Sequence, residues 1–93
     1  MQSEETNYTL IAKKIVKEQE QIIGPLAYDI AKKAVGVLLV AGNQLTIQGD
    51  PKVALENLVV QYSGLFGQAS VEASKNALKG MSLGAAELPS ILL

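Results

Sequence analysis

The sequence predicts a mainly α domain of about four helices, and three observations carry that prediction. Apolar residues recur at three- and four-residue spacing over most of the chain. Glycine and proline punctuate it at short intervals, and an Asp-Pro pair opens its most regular apolar stripe. The expected helices cover about 7–23, 25–41, 51–66 and 68–79, with a short extended segment at 45–48.

In the first helix Tyr8, Ile11, Ile15 and Ile22 form one stripe, widened by Leu10, Ala12 and Val16, while Lys13, Lys14, Lys17, Glu18, Glu20 and Gln21 take the other side. Lys14 and Glu18 stand four apart and can support each other weakly. Gly24-Pro25 ends this helix and starts the next, because glycine tolerates the reversal and proline suits a first turn whose N–H is unpaired anyway. Leu26, Ile30, Ala34, Val37 and Ala41 then recur at helical spacing, with Asp29 and Lys33 placed to pair on the outer side. The end of this segment admits a second reading. Val35-Gly36-Val37-Leu38-Leu39-Val40 is rich in β-branched residues, Gly42-Asn43 suits a turn, and Leu45-Thr46-Ile47 suits a returning strand. The alternative fold is therefore α+β with a hairpin at 35–48; helical periodicity favours the helix.

Gly49-Asp50-Pro51 is the sharpest local signal. Aspartate accepts the free N–H groups of a helix start and proline fits its first position. Leu55, Leu58, Val59, Tyr62, Leu65 and Phe66 follow as a helical stripe. Gly64 and Gly67 interrupt it, and a fourth helix carries Ala69, Ala73 and Ala77 along one line, with Gly80 as its expected cap. The organisation expected is one helical domain over 1–80 and an apolar C-terminal tail over 81–93, which ends Leu88-Pro89-Ser90-Ile91-Leu92-Leu93.

Composition narrows the function more by what it lacks. Of 93 residues 48% are apolar, enough for one core, and 18% are charged, few enough to leave apolar surface open to association. There is no cysteine, so thiolate metal sites and cysteine nucleophiles are excluded. There is no histidine, which removes the commonest general base and metal ligand. All eight basic residues are lysine, which leaves no arginine to read phosphate or guanine bidentately. The expected protein is not an enzyme and holds no cofactor or metal. Lys13, Lys14, Lys17, Lys32 and Lys33 form a candidate basic patch for nucleic acid or acidic lipid, but Glu18, Glu20 and Asp29 interleave with it. A solvated helix face is the favoured reading and nucleic acid is disfavoured as a partner. Gly64-Leu65-Phe66-Gly67 has the spacing of an RNA-clamping loop without its basic centre, so it reads as a bend. The polar, acidic opening Met1–Asn7 has no leader pattern, and no apolar run reaches the ~20 residues of a membrane span. A cytoplasmic location is expected.

Ile22-Ile23-Gly24-Pro25-Leu26-Ala27, followed by Ile30, Lys32, Lys33 and Ala34, resembles the I-G-P-x-A helix junction of a small helical domain appended to bacterial kinases and other signalling proteins. The likeness covers about a quarter of the chain and implies a regulatory or oligomerising module. From residues and resemblance together, the expected function is a non-enzymatic protein–protein interaction or self-association module. Its candidate contacts are Phe66, Ala69, Ala73, Ala77, Leu88, Ile91, Leu92 and Leu93, and its expected partner is another copy or another protein. The alternative is a small-molecule or lipid-binding pocket between helices, lined by Leu55, Val59, Tyr62 and Phe66.

Overall fold

The protein is represented by a computed structural model that describes residues 3–40, 44–79 and 88–92. Four helices and a two-stranded hairpin follow in the order α1 (Ser3–Ile23), α2 (Leu26–Ala31), β1 (Val37–Val40), β2 (Gln44–Ile47), α3 (Pro51–Phe66) and α4 (Gln68–Ala77). A 3-10 turn at Ser90–Leu92 closes the described chain. The mainly α class with a short extended piece is the fold observed. Several expected features lie outside the described residues: Ala41 in the second stripe, the turn at Gly42-Asn43, Gly80 as a cap, and the tail residues 81–87 and Leu93.

The second helix departs most from its expected bounds. It ends at Ala31 instead of running to Ala41, and the hairpin takes the rest. Three successive short-range bonds carry the chain out of the helix: Lys33 N–H to Ile30 O, Ala34 N–H to Ala31 O, and Val37 N–H to Ala34 O. Gly36 then adopts φ +95°, a conformation that L side chains resist. A Cβ on Gly36 would sit 2.8 Å from Ala54 Cβ, so glycine also permits the close approach of this turn to α3. Val35 and Val37, stiff at χ1, suit the extended chain better than a helix. Ala34 and Val37 are nevertheless buried, as their spacing required. The apolar period registered which residues face the core, and the backbone met that demand without a helix.

β1 and β2 pair antiparallel, with Val37 opposite Ile47, Leu38 opposite Thr46, Leu39 opposite Leu45 and Val40 opposite Gln44. Val37 and Leu45 are buried and Leu39 and Ile47 partly so, which puts one hairpin face on the helices. Leu38 lies on the opposite face. At the start of α3, Asp50 Oδ1 accepts from the N–H groups of Lys52 (3.0 Å) and Val53 (3.5 Å), with Pro51 in the first turn. At its end Gly67, at φ 72° and ψ −156°, takes up the whole turn into α4 with no connecting residue on either side.

The core draws on every element. Ile11, Ile15, Ile30, Leu55, Leu58, Val59 and Tyr62 are its largest buried apolar side chains. Val71 and Leu78 join it from the last helical segment, and Leu92 from the tail. No helix among the described residues is long and apolar enough to cross a membrane.

Candidate interaction site

Two polar links pin the corner between α1 and α2 to the corner between α3 and α4. Tyr62 Oη donates to Ala27 O at 2.7 Å, and Gln19 Nε2 donates to Ser70 O at 3.0 Å and to Ser74 Oγ at 3.2 Å. Ser74 Oγ donates in turn to Ser70 O (2.9 Å), and Ser70 Oγ to Tyr62 O (3.1 Å). Among the described residues no buried side-chain nitrogen or oxygen is left without a partner, so this buried network is fully satisfied. Burial, with the nearby Tyr28 ring adding to it, pushes the Tyr62 phenol well above its usual range, and the side chain stays a neutral donor. Tyr28 is also raised, chiefly because its hydroxyl donates to Glu20 Oε1 at 2.9 Å.

Around these pinned corners stand apolar side chains that the core does not use. Ile22 is 62% exposed, Leu26 49%, Leu65 60% and Phe66 40%. Phe66 was expected as a contact residue; Ile22, Leu26 and Leu65 were read only as members of helical stripes. Helical phase carried no signal of exposure for Ile22 and Leu65, which share the buried arcs of α1 and α3 but stand at the helix ends. Ile22 falls between Ile11 and Ile15 on the helical wheel, so its exposure comes from its place in the last turn of α1, past the stretch the core covers.

The other expected contacts are divided. Ala69 is exposed, Ala77 half-buried and Ala73 buried. The face of α4 turned inward is Ser70, Val71, Ala73 and Ser74, so the alanine line straddles the boundary between core and solvent. The described part of the tail, 88–92, docks on its own chain: Leu92 joins the core, while Leu88 and Ile91 pack against it. The 3-10 turn lies against α3 and α4. Of the residues proposed to line a pocket, Leu55, Val59 and Tyr62 are fully buried in the core, whereas Phe66 is exposed.

The lysines remain on the surface. Lys13, Lys14, Lys17, Lys32 and Lys33 are all exposed. Asp29 pairs with Lys32 at 3.7 Å, one position earlier than the Lys33 pairing expected. Both partners are mostly solvated, so the pair contributes little. Among the described residues no group of three or more acidic side chains is placed to hold a metal ion.

The hairpin edge completes the inventory. Gln48 N–H donates to Gly36 O at 2.8 Å, and bonded pairs alternate along an antiparallel ladder. The pairs bonded across the hairpin are therefore Leu38–Thr46 and Val40–Gln44. The N–H and C=O of Leu39 point away from β2, and among the described residues they meet no hydrogen-bond partner.

Neither a family model, nor a curated protein, nor a solved structure matches the chain.

Proposed function

We propose that this chain is a non-enzymatic protein–protein interaction or self-association module, working in a regulatory, cytoplasmic setting. The observation that carries the reading is the group of four large apolar side chains, Ile22, Leu26, Leu65 and Phe66, left open at two helix corners. Single exposed hydrophobes are ordinary, but these four flank corners that buried hydrogen bonds hold rigid. A preorganised apolar surface loses little entropy when a partner covers it. The likeness of Ile22–Ala27 to the I-G-P-x-A junction of signalling proteins supports a regulatory setting. A pocket between helices is less well supported, since a ligand there would have to displace Leu55, Val59 and Tyr62 from the core.

The test is sedimentation velocity on the intact chain over a wide concentration range, beside the double variant Leu65→Ser/Phe66→Ser. Association that weakens in the variant, with the folded spectrum retained, supports these corners as a contact surface. Association unchanged by the variant removes them from the reading.

A further inference from the structure

We infer that the free edge of β1 pairs with β1 of a second copy, making one four-stranded antiparallel sheet across a two-fold axis at Leu39. This rests on the self-association reading above and adds the hairpin edge to the corner side chains as a contact between copies. The argument begins with hydrogen bonds. Leu39 holds one outward donor and one outward acceptor with no partner among the described residues, while the Val37 N–H is already taken by Ala34 O at 3.1 Å. An edge of this kind is a template for another strand.

Symmetry then fixes the register. A two-fold axis normal to the sheet keeps both helical layers on one face and pairs residues whose numbers sum to an even value. A centre at Leu38 would pair Leu39 with the copy's Val37, whose N–H is already given to Ala34 O, and so would leave the Leu39 C=O without a donor. A centre at Leu39 lets each Leu39 N–H donate to the other copy's Leu39 O. It also sets Leu38, now 42% exposed on the outer face, opposite position 40 of the copy.

Charge and composition agree. No charged residue stands between Lys33 and Asp50, so two copies of the hairpin meet without like-charge repulsion and without the lysine or proline that usually blunts an edge. The other edge is a poorer candidate. The outer-face positions of β2 are Gln44 and Thr46, polar residues that gain nothing from being covered.

Amide hydrogen exchange at Leu39, read by NMR at low and high protein concentration, tests the proposal together with sedimentation of the same samples. The Leu39 amide is expected to exchange fast when dilute and to slow by about tenfold once about nine chains in ten are paired. Leu38→Lys sets a charge on the outer face beside the axis. It is expected to give a folded monomer whose Leu39 amide exchanges fast at every concentration. Thr46→Lys, on β2 and away from the axis, is expected to pair like the natural chain. Self-association with a Leu39 amide that stays fast overturns the edge pairing and leaves the self-association reading standing. A chain that never associates overturns both. Pairing undiminished in folded Leu38→Lys overturns the register.

Discussion

Two apolar stretches of this chain, the tail at Leu88–Leu92 and strand β1 at Val37–Val40, are alike in composition and differ in fate. The tail looks by sequence like a surface waiting for a partner, yet Leu92 is buried and Leu88 and Ile91 pack on the chain's own core. β1 looks like the end of a helix, yet among the described residues its outer backbone edge meets no partner, and Leu38 is exposed. Apolar composition alone therefore does not locate an interface. What locates it is the account of which apolar area and which backbone groups the fold has already used.

The contrast is sharpest in how the two stretches should respond to substitution. The largest expected effect is Leu92→Ala in the tail, a loss of about 2–4 kcal/mol as a buried leucine becomes a cavity. Chemical denaturation would measure it. A loss within about 0.5 kcal/mol would place the tail outside the core.

Gly36→Ala comes next, at about 2 kcal/mol, because the new methyl meets both a positive φ and the Ala54 side chain. The same denaturation experiment reads it. A neutral result would mean that the hairpin does not sit against α3 as described.

Tyr62→Phe should cost about 1 kcal/mol, since it removes the buried hydrogen bond to Ala27 O, which keeps its helical donor. Tyr62 also makes the fold sensitive to alkali. Its folded pKa is raised above the unfolded value of about 10, so its contribution is fully present below that pH. The contribution is lost as pH rises further, because the unfolded chain ionises first. Tyr28 acts in the same direction. Denaturation midpoints should hold level up to about pH 10 and fall beyond it, less steeply in Tyr62→Phe.

The smallest expected effect on stability is that of Leu38→Lys, within about 0.5 kcal/mol, because the side chain already faces solvent. The comparison turns on this variant, which should spare folding and remove association, whereas Leu92→Ala should do the reverse.

Much of the fold was legible because local chemistry and core demand agreed. Asp50-Pro51 starts α3 as its side-chain chemistry requires, and the helices α1, α3 and α4 form close to where helical spacing placed them. The end of α2 was not legible, since Ala34 and Val37 satisfy the helical period while being buried from a turn and a strand. The chain leaves the helix after Ala31, and the turn at Gly36 then packs close against Ala54, a residue far away in sequence. Gln19 was half-legible: its phase with Ile11 and Ile15 put it inward, but only the fold brings Ser70 and Ser74 to it. Of the candidate contacts, Phe66 and Ala69 are exposed, while Leu92 shows that an apolar terminus reads the same whether it docks in cis or in trans.

Sedimentation equilibrium of the intact chain beside Leu38→Lys tests the central claim most directly. The account predicts a monomer–dimer equilibrium for the natural sequence and a monomer for the variant, with both chains equally folded. A natural chain that stays monomeric at every concentration, or a variant that dimerises as well as its parent, would contradict it.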